Sequence, residues 1–188
     1  MNPVYYYFLA QGENSFMDLA STIRSVPDFP VQGVLFYDIT TLLKNPAAFK
    51  ASIDRLVQNY EKQNIELIVG MESRGFIFGA LLAYQLGVGF APVRKPGKLP
   101  APSIAESYEL EYGSNTLEIH TDAIEKGQRV LVVDDLLATG GTAKATCNLV
   151  EKLGGKVAGL AFVIELTFLN GREKLKGYEV FSLLKYDQ

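Results

Sequence analysis

Residues 130–142 read VLVVDDLLATGGT. An apolar strand, expected over Arg129–Val133, runs straight into the carboxylates of Asp134 and Asp135. A turn of small residues, Ala138-Thr139-Gly140-Gly141-Thr142, then opens a helix expected over Thr142–Leu153. Adjacent carboxylates can accept hydrogen bonds from sugar hydroxyls or hold a magnesium ion through waters. The glycines let backbone N–H groups approach a phosphate, and the helix N-terminus adds its partial positive charge. Thr139 and Thr142 add hydroxyl donors. The chain has neither G-x-x-x-x-G-K-[ST] nor G-x-G-x-x-G, so a P-loop and a dinucleotide fingerprint are both excluded.

Outward from this unit, strands alternate with helices. Glu66–Gly70, Val88–Val93, Lys156–Ile164 and Val180–Leu184 read as short apolar strands. Asn45-Pro46 starts a helix, with a capping side chain and proline in the first turn. Phe49, Ile53, Leu56, Val57 and Tyr60 form its apolar face. Phe16–Val26 is expected to be a short helix, and Ser107–Tyr112 with Thr116–His120 a hairpin. This is an α/β pattern, a mainly parallel central sheet flanked by helices, with ligands expected beyond the carboxyl ends of its strands.

One stretch challenges a soluble reading. Residues 75–93, GFIFGALLAYQLGVGFAPV, are long enough for a membrane span. Gly87, Gly89 and Pro92 interrupt the second half, so a buried helix (75–86) followed by a strand is expected instead. The first residues, MNPVYYYFLA, lack a positive n-region, and a signal peptide is not expected. Residues 1–15 are set apart as a tyrosine-rich extension, and 16–188 as one domain.

The composition narrows the chemistry. The 188 residues are 48% hydrophobic and 21% charged, with a formal net charge of −3, which disfavours a nucleic-acid partner. There is one cysteine, Cys147, and one histidine, His120. A disulfide framework and a thiolate or histidine-rich metal site are thus excluded, and a reducing, cytoplasmic setting fits. Cys147 is expected to be a small buried residue, and His120 structural.

Three further constellations suit anions or a flat ligand. Gly70-Met71-Glu72-Ser73-Arg74-Gly75 lies between a strand and a helix, with Arg74 as a planar donor. Arg94, Lys95 and Lys98 place three positive charges within five residues of a proline-rich loop that suits a mobile lid. Leu35-Phe36 and Leu166 could sandwich a flat ring, although composition alone makes Phe36 and Leu166 core residues. Glu111 points away from the apolar face of the hairpin strand, where a glutamate is ordinarily just solvated.

The run 130–142 resembles the phosphoribosyl-pyrophosphate (PRPP) motif of the type I phosphoribosyltransferases. DFPVQGVLFYDIT (28–40), GMESRGFIFG (70–79), VRKPGKLP (93–100), YELEYGSNTLEIH (108–120) and IELTFLNGREKL (164–175) narrow the resemblance to the members acting on adenine. The resemblance covers residue 16 to the end. It implies the type I fold, a hood near 27–40, a lid loop over 94–112, and a homodimer making AMP and pyrophosphate. By it Asp134 and Asp135 hold the ribose hydroxyls and Ala138–Thr142 take the 5′-phosphate. Glu72, Ser73 and Arg74 receive the pyrophosphate through a cis peptide joining Glu72 and Ser73. Arg94 and Lys95 reach the pyrophosphate, with at least one entering the neighbouring subunit's site. Glu111 assists proton movement at the purine, and Val34, Leu35, Phe36 and Leu166 contact the base. Mg²⁺ is carried by PRPP, with no direct protein ligand.

Two departures stand out: Tyr37 where an arginine is frequent, and Thr41 where proline is common. Two alternatives stand beside the adenine reading. One is the same transfer to hypoxanthine, guanine or xanthine. The other is a PRPP- or nucleotide-sensing regulator without turnover.

Overall fold

The computed structural model describes residues 17–109 and 114–188. The N-terminal extension, Phe16, and the Glu111 expectation lie outside the described residues. The chain divides into two compact units, one reaching to Ser52 and one from Ile53 to Gln188.

In the first unit, a 3₁₀ turn (Ala20–Thr22) leads into strand β1 (Arg24–Val26). β1 pairs antiparallel with β2 (Phe36–Asp38), Ser25 opposite Tyr37. The helix expected over Phe16–Val26 is therefore replaced by a turn and a strand. Asp18 causes the break, because its carboxylate accepts from the Ala20 N–H at 3.0 Å and caps a single turn. Ile23 and Val26 are β-branched and favour the extended backbone that follows. The Arg24–Asp38 ion pair fastens the two strands, and this cation with the backbone and side chain of Thr40 holds the Asp38 pKa down to about 2. Short helix α1 (Thr40–Lys44) follows, and Thr41 Oγ1 donates to the Thr22 carbonyl at 2.7 Å. That bond gives the hydroxyl at this position a use that proline would lack. Tyr37 is buried.

Helix α2 (Pro46–Tyr60) begins where the sequence places it. Asn45 Oδ1 accepts from the N–H groups of Ala47 and Ala48, both at 3.1 Å, satisfying two donors of the first turn.

The larger unit is built on β3 (Leu67–Met71), α3 (Gly75–Leu86), β4 (Gly89–Val93), the hairpin strands β5 (Ser103–Glu109) and β6 (Ser114–His120), β7 (Arg129–Leu137), α4 (Gly141–Lys152), β8 (Lys156–Leu166) and β9 (Val180–Tyr186). Five strands form one parallel sheet in the order β4-β3-β7-β8-β9. Leu67, Val69 and Met71 join Val130, Val132, Leu160 and Phe162 in a core with Ala143, Cys147, Leu149 and Val150 of α4. On the opposite face, Ile68 lies beneath Gly79 of α3, and the Tyr60 hydroxyl donates to the Leu160 carbonyl. Both faces are thus covered, which is why these strands read as unbroken apolar runs.

The stretch 75–93 is a 12-residue helix and a 5-residue strand. Among the described residues, no helix is long and apolar enough to cross a membrane. Strand ends shift by one or two residues elsewhere, and two differ more widely from expectation. β5 starts at Ser103 because Ile104 already pairs with Ile119, so residues 103–109 of the expected lid loop are strand. β7 continues through both aspartates to Leu137, because β8 keeps pairing with it as far as Leu137 opposite Glu165.

Candidate active site

At the carboxyl end of the sheet, a cleft of 520 Å³ gathers residues from four segments of the larger unit. The β3–α3 loop supplies Glu72, Ser73 and Arg74, and the segment after β4 supplies Lys95. β7 supplies Asp134 and Asp135, and the turn after it Ala138 and Thr142. Tyr108 and residues 114–117 of the hairpin close one side. A smaller hollow of 70 Å³ is cupped by residues 136–143, which include Thr139, Gly140 and Gly141. Three segments singled out separately in the sequence therefore share one cleft.

The phosphate-type turn takes its shape from Gly140, which sits at the N-cap of α4 with φ +78°, a conformation L side chains rarely adopt. Backbone N–H groups of the first turn of α4 have no helical partner and are available to an anion. Thr142 Oγ1 is 2.9 Å from the Tyr108 hydroxyl, so the hairpin is latched to this turn. Glu106 reinforces the latch. It accepts from Asn148 at 2.7 Å and pairs with Lys152 at 2.5 Å, both on α4.

The two aspartates differ in surroundings. Asp135 is buried and accepts from Arg74 Nε at 2.5 Å. Asp134 is half-buried, and one of its oxygens accepts the Asp135 N–H at 2.8 Å. Removal from water, with the Asp135 carboxylate adding to it, pushes the Asp134 pKa well above the usual carboxylate range. Gly75 allows this packing, since a Cβ there would lie 2.8 Å from Asp134 Oδ1 and from the Val133 carbonyl.

The peptide bond between Glu72 and Ser73 is cis, as the family resemblance implies. Glu72 Oε2 accepts from the Lys95 N–H at 3.0 Å and from Arg94 Nε at 3.1 Å. Those two contacts hold the Glu72 carboxyl below its ordinary pKa, the Lys95 N–H contributing most. The Arg94 guanidinium also lies 5.9 Å from the Phe76 ring centroid, and its backbone bridges Glu118 on β6. Arg94 is thus directed at Glu72 and does not line the cleft, whereas Lys95 does. Arg74, expected to face an anion, is engaged with Asp135.

The base-contacting expectations fall on both units. In the first, Val34 and Leu35 are exposed, and Phe36 opens β2 with its ring edge-to-face against Phe29 at 5.1 Å. In the second, Leu166 ends β8, half-buried, at the start of a 3₁₀ turn. His120 Nδ1 lies 3.3 Å from the Pro102 carbonyl, a structural role. Cys147 is buried, and burial pushes its thiol up to about 12.

The sequence reading missed Tyr108 as a cleft residue, Phe76 beneath Arg94, and the ion pair of Glu165 with Arg172. Only the last had a signal, a charge inside the buried run VIEL. Among the described residues, no cluster of three or more His, Cys, Asp or Glu side chains could hold a metal ion.

A parallel α/β sheet with these loops at its carboxyl end is the architecture of a phosphoribosyltransferase, and the phosphoribosyl transferase domain family matches residues 38–185. The adenine phosphoribosyltransferase of Chloroflexus aurantiacus is 63% identical over 169 residues, covering 90% of this chain and 98% of that protein. That of Koribacter versatilis is 59% identical over 170 residues, covering 90% and 93%. The crystal structure of the enzyme from Thermoanaerobacter pseudethanolicus superposes with a TM-score of 0.87 at 56% identity, over 89% of this chain and 98% of that one. The chain belongs to the adenine phosphoribosyltransferase family.

Proposed function

We propose that this chain transfers the 5-phosphoribosyl group of PRPP to adenine, giving AMP and pyrophosphate. The observation that carries the reading is the single cleft joining the Glu72–Arg74 loop, the Asp134-Asp135 pair and the Ala138–Thr142 turn. Two solved relatives support it. The Saccharomyces cerevisiae enzyme, 46% identical with a TM-score of 0.83 over 88% of this chain and 96% of that one, was crystallised with an iminoalditol bisphosphate and adenine. The Trypanosoma brucei enzyme, 28% identical with a TM-score of 0.81 over 89% and 78%, was crystallised with AMP, pyrophosphate and ribose 5-phosphate.

In this reading the turn 138–142 binds the 5′-phosphate through backbone N–H groups, the Thr139 and Thr142 hydroxyls, and the N-terminus of α4. Asp134 and Asp135 hold the ribose hydroxyls. As the bond to pyrophosphate lengthens, positive charge grows on the sugar ring beside them, as in glycoside cleavage. The carboxylate oxygens of Asp134 and Asp135 face that charge, so their interaction with the sugar is strongest in the transition state. The Glu72-Ser73-Arg74 loop, with Arg94 and Lys95, receives the departing pyrophosphate. Glu111 handles the purine proton. Val34, Leu35 and Phe36, with Leu166, contact the base.

Mg²⁺ fits this donor set as a companion of the substrate. Two adjacent carboxylates offer hard oxygen but too few ligands for a protein-built cage, so the ion would keep waters and substrate oxygens while Asp134 and Asp135 face it. When bound it supplies positive charge that stabilises the leaving pyrophosphate.

A homodimer completes the proposal, with Arg94 or Lys95 reaching the neighbouring subunit's site. α3 supports it, because Ile77 and Tyr84, two turns apart on this apolar helix, are exposed, Tyr84 by 81%. The single buried cysteine fits a cytoplasmic setting.

A panel of adenine, hypoxanthine, guanine and xanthine with PRPP, read by pyrophosphate release, tests the reading. Adenine should give AMP at a rate well above the other bases. No AMP from adenine overturns it.

A further inference from the structure

The segment after β8 is clipped shut by a buried charge. Glu165, 3% exposed, is the penultimate residue of the apolar strand β8. Arg172 meets it with both edges of its fork, Nε to Oε1 at 2.5 Å and Nη2 to Oε2 at 2.7 Å. The remaining arm, Nη1, donates to the Val180 carbonyl at 3.1 Å, which ties the clip to β9. Residues 166–171 form the loop so closed.

One end of that loop carries Leu166. The other end is Gly171, whose backbone lies directly against the phosphate-type turn. A Cβ on Gly171 would sit 2.2 Å from the Ala138 carbonyl oxygen and 3.1 Å from Gly140 N. A Cβ on Gly140 would in turn sit 2.4 Å from the Gly171 carbonyl oxygen. The two backbones touch with no side chain between them. The Ala138–Gly140 turn therefore has a fixed floor, and the floor is the loop that Glu165 and Arg172 hold closed. Leu175, buried three residues beyond Arg172, anchors the far side of the clip in the core.

We infer that Glu165 and Arg172, acting through Gly171, are positioning residues that set the shape of the turn binding the 5′-phosphate. They touch no substrate. They determine where the turn's N–H groups point, and bidentate pairing suits this task because it fixes direction as well as distance. The chemistry they serve is a ribose 5′-phosphate. The inference rests on the proposed transfer only for its kinetic arm, because binding of ribose 5-phosphate reads the turn directly.

The experiment compares wild type with Arg172→Lys, Arg172→Gln, Gly171→Ala and the paired Glu165→Gln/Arg172→Gln variant. Thermal unfolding is measured for each, ribose 5-phosphate affinity by calorimetry, and KM for PRPP and for adenine with kcat. Arg172→Lys keeps the charge and loses the fork, and should weaken ribose 5-phosphate and raise KM for PRPP by about 10-fold. Arg172→Gln and Gly171→Ala should do so by about 100-fold, the effect of a displacement near 1 Å in a positioned site. KM for adenine should move by less than a third of the change for PRPP. The paired variant removes both charges, so its unfolding temperature should return towards wild type, while ribose 5-phosphate affinity stays low. Recovery of affinity along with stability in the paired variant overturns the inference, as does an unchanged affinity in folded Arg172→Gln. If adenine and PRPP give no AMP with wild type, the proposed transfer fails, and the calorimetric arm still decides this one.

Discussion

Replacing Asp134 by asparagine should stabilise the ligand-free protein while disabling it. The substitution keeps the side-chain volume, and the asparagine carbonyl can still accept the Asp135 N–H now held at 2.8 Å. It leaves the Asp135–Arg74 pair at 2.5 Å intact. What it removes is a carboxyl whose ionised form is opposed by poor hydration and by Asp135. A carboxyl with a raised native pKa holds a proton that the unfolded chain has already released. Its contribution to stability is full below the unfolded value near 3.9 and falls as pH rises towards the native value, by up to about 1.4 kcal/mol per pH unit. Asparagine has no such loss. The variant should match wild type near pH 4 and exceed it in Tm at pH 8, with the gap opening as pH rises. Thermal unfolding by circular dichroism across that range, without ligand, measures the gap. Turnover should fall by about 10²–10³-fold, because charge stabilisation in the transition state is lost. A variant less stable than wild type at pH 8, or a gap independent of pH, would refute the reasoning.

Two further outcomes follow from the ties around the cleft. Glu72→Gln removes the charge that holds Arg94 Nε and the Lys95 N–H, and should raise KM for PRPP about 10-fold with kcat within about threefold, the usual reach of one charge-assisted contact. Because the native Glu72 pKa is lowered, its contribution to stability is present above the unfolded value near 4.3 and is lost as pH falls through the native value; acid unfolding of the variant should lack that step. Tyr108→Phe deletes the hydroxyl 2.9 Å from Thr142 Oγ1 and should cost about 1 kcal/mol or less of stability. Steady-state kinetics should show a change in KM for PRPP, and an unchanged value would remove Tyr108 from the cleft's working parts.

What could be read from the sequence follows a physical division. Anion-binding loops are contiguous by nature, since backbone N–H groups, glycines and a helix start must be neighbours in the chain. VLVVDDLLATGGT and GMESRG could therefore be recognised as loops that meet at one end of a parallel sheet. Strand ends could not, because they depend on how far a partner continues; β7 runs past the aspartates only because β8 runs beside it. The ties between loops were equally hidden. Arg74 finds Asp135 across 61 residues, and Arg94 finds Glu72 across 22. The loop's donor chemistry assigned Arg74 to an anion and the family resemblance assigned Arg94 to the pyrophosphate, whereas each is paired with a carboxylate of the site itself. Those pairings bear on the proposed transfer. PRPP binding through Arg74 and Arg94 would compete with Asp135 and Glu72 for these cations, so part of its phosphate binding energy would go into parting them. Under the proposed transfer, Asp134, which pairs with no arginine directly, would meet the positive charge on the sugar, and a carboxylate facing charge that exists only as the bond breaks would favour the transition state over the resting complex.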